Sequence, residues 1–201
     1  MGDENPRLVN PAKPRTYSFT LDPGETVTGR ALDPDGKPLS GVRASRLTEY
    51  SLWTMDPLPT EKFEVRQVTE SRPRGVLLWH EDRQLGALIR PKAGDPAPDV
   101  RLKPNGSATG RLLTVDGTPA ADQVLDVMFK LPGDFGWGPW FARMKVKTDA
   151  NGRFEIPNLP EGPDYSVRYA DKRSPRVGRF MREFRVTSGK TTDLGDVKTR
   201  P

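Results

Sequence analysis

The sequence contains one histidine, His80, a residue type that often serves in catalysis or metal binding. His80 is followed by Glu81 and Asp82, an order that superficially matches the start of the zinc-protease motif H-E-x-x-H. The second histidine of that motif is missing, because position 84 is Gln84, and the sequence has no cysteine to bind zinc instead. Only His80 could serve as the histidine of a Ser-His-Asp triad, which makes such catalysis improbable. We therefore predict a surface or strand-end histidine, no metal, no cofactor and no enzymatic activity.

Carboxylates raise two further possibilities, a calcium loop and a glycosidase-like acid pair. Residues 33–36 (DPDG) and 149–152 (DANG) carry oxygens that suit Ca²⁺, but neither stretch supplies a ligand set ending in a bidentate Glu. An acid pair would need residues such as Glu155 and Asp164 to converge in a cleft, and their spacing does not favour this. Residues 33–36 and 149–152 are instead predicted as hairpin turns in which Gly or Asn supplies a positive φ.

Aromatic residues are concentrated in residues 135–141 (FGWGPWF). Rings among Gly and Pro do not form a strand cleanly, and at a loop tip they would offer a stacking platform for sugar faces, peptides or an apolar groove of a partner. The alternative is that they cap one end of an under-filled sandwich. Trp53 and Trp79 are predicted to lie in a core or at a domain junction. The candidate ligand-binding residues are Phe135, Trp137, Trp140 and Phe141.

Positive charge is densest between Arg168 and Arg185, where seven Lys and Arg residues face only Asp171 and Glu183. The whole chain carries 32 Lys and Arg against 27 Asp and Glu, a net charge of +5, which permits a polyanion-binding surface. The alternative is a solvated sheet face that needs no ligand. Nucleic acid is not the expected partner. The candidate anion-binding residues are Arg173, Arg176 and Arg179.

Neither a membrane span nor a signal peptide is predicted. No apolar run approaches the roughly 18 residues that a membrane-spanning helix needs. Residues 1–14 contain no apolar core of a signal peptide, so an export signal would have to lie outside this sequence. The absence of cysteine fits an oxidising or a reducing compartment. We expect no membrane insertion within the chain.

The elements that must position these residues are indicated by an internal repeat. Residues 26–39 (TVTGRALDPDGKPL) match residues 107–120 (SATGRLLTVDGTPA) at an offset of 81 residues. Residues 62–68 (KFEVRQV) match residues 153–159 (RFEIPNL) more loosely, at an offset of 91, so the second copy contains extra loop residues. The positions that recur identically in the closer match are Gly29, Arg30, Asp35, Gly36 and Pro38, repeated as Gly110, Arg111, Asp116, Gly117 and Pro119.

A shorter pattern, alternating apolar residues followed by a Pro or Gly turn, occurs at residues 17–29, 100–110 and 184–197. It is typical of the last strand of one unit, a tight turn and the first strand of the next. The first occurrence then belongs to a unit whose front is missing, or is an added edge strand. The predicted organisation is a segment at residues 1–23 with an edge strand, a domain at 24–104 and a domain at 105–201, taken from a longer array.

The fold class follows from the strand pattern. Apolar and polar residues alternate, for example in residues 27–31 and 165–169, so that each strand buries one face. No segment shows helical periodicity, and the 21 Pro and 19 Gly residues disfavour long helices. We predict an all-β protein made of two tandem antiparallel β-sandwiches.

A family resemblance supports this prediction. Residues 29–45 (GRALDPDGKPLSGVRAS) and residues 148–159 (TDANGRFEIPNL) resemble the carboxypeptidase regulatory-like domain, a transthyretin-like seven-stranded β-sandwich. The resemblance covers nearly the whole chain as two tandem copies, although residues 60–63 (TEKF) replace the T-D-x-N-G-R-F turn in the first copy. It implies an accessory module without catalytic residues, of the kind found beside metallopeptidase domains and in tandem arrays on bacterial surface or envelope proteins.

The function predicted is therefore a non-catalytic structural or interaction module, a spacer or binding domain, of a larger bacterial envelope or extracellular protein. The junction at residues 103–106 is too short for free tumbling, so we predict that the two domains touch. We expect a monomer in an extracellular or periplasmic location, with a protein or polysaccharide as partner. Two alternatives remain, carbohydrate or peptide binding through residues 135–141 and polyanion binding around residues 168–185.

Overall fold

A computed structural model of the chain describes residues 23–48, 57–70, 74–132, 138–139, 145–171 and 174–199. Of residues 138–139, 145, 169–171 and 174–181 it describes the backbone only. Within these ranges the regular structure consists of strands and no helix occurs, which confirms the predicted all-β fold. No helix that could cross a membrane is therefore found in the part of the chain that is described.

Fifteen strands are present in the described ranges. The first half of the molecule contains β1 (Glu25–Leu32), β2 (Arg43–Ala44), β3 (Lys62–Val68), β4 (Val76–His80), β5 (Leu85–Ile89), β6 (Asp99–Arg101) and β7 (Lys103–Pro104). The second half contains β8 (Gly106–Leu113), β9 (Val124–Lys130), β10 (Gly138–Pro139), β11 (Lys145–Lys147), β12 (Arg153–Leu159), β13 (Asp164–Asp171), β14 (Ser174–Phe184) and β15 (Thr191–Lys198).

Each half pairs a three-stranded sheet with a larger one. The first half contains the sheets β3-β1-β6 and β2-β4-β5-β7, and the second contains β12-β8-β15 and β10-β9-β13-β14, with β11 also paired to β9. In the first half, the buried side chains between the sheets include Val27 of β1, Phe63 of β3 and Leu78 of β4. In the second half they include Leu112 of β8, Ile156 of β12 and Val167 of β13. Alternation of buried and exposed residues along β1, β3 and β12 produces these inner faces.

Two ladders differ from the purely antiparallel arrangement that we predicted. β6 runs parallel to β1, and β15 runs parallel to β8. In both halves the chain enters β6 or β15 from a strand of the opposite sheet. A short connection can therefore place β6 and β15 in the same direction as β1 and β8. Alternation alone reports which face is buried and carries no information on strand direction.

Strand pairing in the two halves agrees with the offset of 81 residues but not with the shorter pattern. Leu112 of β8 occupies the place of Ala31 in β1, and each lies beside a valine of the parallel strand, Val197 and Val100. This equivalence aligns residues 196–201 (DVKTRP) with residues 99–104 (DVRLKP). Residues 184–197 do contain strand, turn and strand, as the end of β14 and most of β15. The prediction that the segment before the turn is the last strand of its unit was wrong, because β15 after the turn is the strand that pairs with β8.

The glycine of the recurring Gly-Arg pair packs against a phenylalanine in both halves. Gly29 lies opposite Phe63, and Gly110 lies opposite Phe154. A Cβ at Gly29 would be 2.3 Å from the Phe63 ring, and one at Gly110 would be 2.6 Å from the Phe154 ring. The phenylalanine covers the glycine of the neighbouring strand in each copy, as aromatic residues do for sheet glycines in general.

Candidate functional site

The candidate ligand-binding residues cannot be placed. Phe135, Trp137, Trp140 and Phe141 lie outside the described residues. The described backbone of this region is β10, which pairs with β9 at Met128 and Phe129. Binding through residues 135–141 stays a prediction.

The candidate anion-binding residues are placed only in part. Arg173 lies outside the described residues, and Arg176 and Arg179 lie on β14, where only the backbone is described. Two other arginines of the basic stretch contact carboxylates. Arg168 donates to Asp126 at 3.2 Å, and Arg185 donates to Asp164. These pairs reduce the positive charge that the stretch can offer to a polyanion, since each cation already has an anionic partner.

His80 and the two acidic turns take the structural roles that we predicted. His80 ends β4, and its Nδ1 accepts a hydrogen bond from the Arg83 amide at 3.3 Å. Gly36 and Gly152 have φ values of +84° and +75° and close the two turns. No group of three or more His, Cys, Asp or Glu side chains in the described ranges is arranged to hold a metal ion.

The carboxylates that a glycosidase would need lie in different sheets. Glu155 is on β12 and exposed, whereas Asp164 begins β13 and binds Arg185. The described structure therefore does not bring these two carboxylates together.

An apolar contact joins the two halves of the molecule. Leu77 and Trp79 of β4 point away from the core of the first half and belong to the same buried cluster as the second-half core. Leu88 of β5 packs against this cluster, and its side chain approaches Gly162 of the second half. Trp79 is only 2% exposed. The predicted contact between the halves is confirmed. Of the two tryptophans predicted to lie in a core or at a domain junction, Trp79 lies at the junction, and Trp53 lies outside the described residues.

Side-chain amides complete this interface. Trp79 Nε1 donates to Asn158 Oδ1 at 3.3 Å, and Asn105 Nδ2 donates to the same oxygen at 2.6 Å. Asn158 Nδ2 in turn donates to the carbonyl of Glu81 at 3.4 Å. Asn105 belongs to the segment that links the halves, so one asparagine of the second half binds both the linker and the first half. A polar network of this kind adds a directional constraint to an otherwise apolar contact.

Asn158 could not have been identified as a junction residue from the sequence. It lies at the bulge of β12 with φ +61°, and Gln67 has φ +58° at the corresponding bulge of β3. Asparagine in a left-handed conformation is a recognisable turn signal. Its long-range contact with Trp79 depends on how the halves pack, which local patterns do not report.

A charged groove of about 700 Å³ lies on the outer face of the sheet β12-β8-β15. Arg153, Arg111 and Asp196 form a row across the three strands, and the first half has Lys62, Arg30 and Asp99 in the same row. The other charged side chains that line the groove include Lys147, Glu155 and Asp193.

The two rows use their arginines differently. Arg30 donates two hydrogen bonds to the Asp99 carboxylate, at 2.8 and 2.7 Å. These hydrogen bonds, with the charge attraction, raise the pKa of Arg30 and lower the pKa of Asp99. Arg111 instead donates to the backbone carbonyl of Asn151 at 3.0 Å. The groove of the second half thus presents mixed charges over an irregular part of β15, whereas the first half has a closed ion pair.

A second groove, of about 530 Å³, lies at the junction of the two halves. We call it the junction groove. One wall consists of residues 86–89 of β5, the opposite wall of residues 98–101 around β6, and one end is formed by Glu161, Gly162 and Ser188 of the second half. The Ser188 hydroxyl donates to the Pro104 carbonyl at 2.7 Å and closes this end. The groove is lined by aliphatic side chains and strand edges together with the charged residues Asp99, Arg101, Lys103 and Glu161.

No protein-family model matches the chain, and a search of curated proteins finds no match. Similar solved structures include a streptococcal ancillary pilin (13% identity, 88% of this chain, 62% of that chain, TM-score 0.40). The minor pilin GBS52 of Streptococcus agalactiae is 14% identical over 89% of this chain and 97% of that chain, with TM-score 0.41. A 9R-lipoxygenase from Cyanothece PCC8801 is 25% identical over 47% of this chain and 16% of that chain, with TM-score 0.31. The chain thus spans less than two thirds of the ancillary pilin and of the lipoxygenase. The all-β fold is established by the strands of this chain.

Proposed function

We propose that this chain is a non-catalytic scaffold of two tandem transthyretin-like sandwiches, residues 24–104 and 105–201, preceded by a short segment at residues 1–23. It serves as a structural or interaction module of a larger envelope or extracellular protein. The observation that carries the proposal is the shared apolar cluster at the junction, where Leu77 and Trp79 of one half complete the core of the other. A spacer needs a fixed relative orientation, and a buried interface with a short linker supports that requirement.

The orientation of the halves tests this proposal. Residual dipolar couplings of the full chain should fit one alignment tensor, because the junction holds both halves as one body. Trp79→Ala removes the indole and its hydrogen bond to Asn158, so the halves should then require two tensors. Leu78→Ala is the matched control: Leu78 faces the core of the first half, and its truncation should cost about 2–5 kcal/mol of stability without separating the tensors. Two different tensors in the unmutated chain would refute a fixed scaffold.

Carbohydrate or peptide binding through the aromatic segment is the second proposal, with a polysaccharide or protein as ligand. The support is compositional, four rings within residues 135–141. Trp137→Ala and Trp140→Ala should abolish binding in a glycan or peptide array while leaving the melting temperature nearly unchanged. A large loss of stability would instead place these rings in a core.

Polyanion binding is the weaker alternative, because Arg168 and Arg185 already contact carboxylates. It requires retention on heparin that falls with salt and with substitution of Arg176 and Arg179 by Gln. Retention that ignores these changes would remove it.

A further inference from the structure

Strand β5 has an unpaired edge in the junction groove. Leu85 and Gly86 pair with Pro104 and Lys103 of β7. Beyond Gly86, β5 continues to Ile89, but the neighbouring chain turns away as β6 to pair with β1. The outer edge of β5 therefore loses its partner strand halfway along its length.

The hydrogen bonds of β4 show that the backbone of Leu88 points into the groove. Leu88 lies opposite Leu77. The Leu77 carbonyl accepts from the Ser45 amide at 2.9 Å, and the Leu77 amide donates to the Ser45 hydroxyl at 3.3 Å. The N–H and C=O of Leu77 both face Ser45 and therefore point away from β5. Leu77 and Leu88 are thus a non-hydrogen-bonded pair of the β4–β5 ladder. The N–H and C=O of Leu88 must then face away from β4, toward the groove, and no partner for them is found in the described residues.

The opposite wall presents a second free edge. The Arg30 amide donates to the Pro98 carbonyl, and the Leu102 amide donates to the Leu32 carbonyl. In residues 98–102 the backbone groups of the even-numbered residues hydrogen-bond to β1. The N–H and C=O of Asp99 and Arg101 therefore face the other way, toward β5. Within the described ranges they too have no backbone partner. The groove is a slot between two strand edges.

The charges around the slot favour an acidic occupant. Both oxygens of Asp99 are engaged by Arg30. The other charged residues of the lining are Arg101, whose guanidinium lies near Gly36, Lys103 and Glu161. The two cations exceed the one carboxylate, and an acidic segment would complement them.

We propose that the junction groove binds an extended acidic peptide segment as an added β-strand, next to β5, in the position that β6 leaves when it turns toward β1. Backbone hydrogen bonds to Leu88 and Arg101 supply affinity, and the cations of the groove select acidic side chains. This inference goes beyond the scaffold role and rests on it only in that both halves must form the groove. A rigid scaffold that binds no peptide would leave the proposed function intact.

The test uses the full chain and two alternating peptides, acetyl-Asp-Val-Asp-Val-Asp-Val-amide and its lysine counterpart. At low salt the acidic peptide should bind at least about tenfold more tightly than the lysine peptide. In the complex the Leu88 and Arg101 amides should exchange with solvent at least about tenfold more slowly than in the free chain. The Val100 amide, which faces β1, is the internal control and should not change. An acidic peptide N-methylated at alternate amides should not bind.

A pair of variants isolates the backbone contribution. Arg101→Ala and Arg101→Pro both remove the charge, but only proline removes the N–H that faces the slot, and that N–H has no ladder bond to lose. The proline variant should therefore fold like the alanine variant and bind the acidic peptide at least about fivefold more weakly.

Three results would overturn the proposal. The first is equal binding of the acidic peptide by the alanine and proline variants when both fold. The second is binding of the N-methylated peptide. The third is a Leu88 amide that is already protected without peptide: protection that rises with protein concentration would identify a second copy of the chain as the occupant, and protection independent of concentration would identify another segment of the same chain.

Discussion

Tyr165 shows how one side chain can organise a loop in this molecule. It is fully buried, its ring stacks on Phe184 with centroids 5.7 Å apart, and its hydroxyl donates to the Pro160 carbonyl at 2.7 Å. Pro160 belongs to the loop that packs against Gly86 at the junction of the halves. Burial raises the pKa of Tyr165 well above its ordinary value, because the charged phenolate is poorly solvated in the core.

Tyr165→Phe should destabilise the protein by about 1–3 kcal/mol, since the Pro160 carbonyl is left without its donor. Because the folded pKa is raised, the stabilisation is fully present below the unfolded tyrosine pKa of about 10 and is lost as pH rises toward the folded value. The variant should therefore lose less stability than the unmutated chain above about pH 10. Urea unfolding at neutral and alkaline pH measures both effects. A variant as stable as the parent at neutral pH would show that the hydrogen bond contributes nothing.

Turns between strands are stabilised by side chains that accept backbone hydrogen bonds. Asp33 accepts from the amides of Asp35 and Lys37 at 3.0 and 2.9 Å, and Asp149 accepts from Asn151 and Arg153, both at 2.8 Å. The sequence predicts these turns well, because Asp, Asn and Gly act through bonds to neighbouring residues. Asp33 also contacts Arg83 at 3.1 Å, a partner 50 positions away that no local pattern could indicate.

The Asp33 turn should make the first half sensitive to acid. The Lys37 amide above all, with Arg83 and the Asp35 amide, lowers the pKa of Asp33. A depressed pKa contributes stability that is present above the unfolded value of about 3.9 and is lost as pH falls through the lower folded value. Asp33→Asn should therefore be less stable at neutral pH, and its difference from the parent should shrink below about pH 4.

Chemical unfolding across the range from neutral to acidic pH checks this. Asp35→Asn is the control in the same turn, since no hydrogen bond to the Asp35 carboxylate is found in the described structure, and it should leave stability nearly unchanged. A difference for Asp33→Asn that stays constant down to the lowest pH would contradict the linkage.

The two halves share a buried apolar contact at the junction. Separating them would expose Leu77, Trp79 and Leu88, whose burial is worth about 1.5–3 kcal/mol for a large apolar side chain. Residues 24–104 expressed alone should therefore melt at a lower temperature than the same residues in the full chain, as measured by calorimetry with NMR assignment of each half. Equal melting temperatures would show that the halves fold independently.

Local patterns were sufficient to predict strands and turns. They placed Gly36, Gly152 and the start of β12 correctly, because each depends on neighbours within a few residues. They failed for the last strand of the second half, since the pairing of Val197 with Leu112 joins segments far apart in the chain.

The amino-acid order alone was sufficient for an all-β protein with a repeated first strand, because alternation and turn chemistry are short-range properties. Tertiary packing decided the direction of β6 and β15, the contact of Trp79 with Asn158 and the slot between β5 and β6. Each of these arises where two distant segments meet, and the free energy of such a meeting depends on the shape of both partners, which neither segment encodes separately.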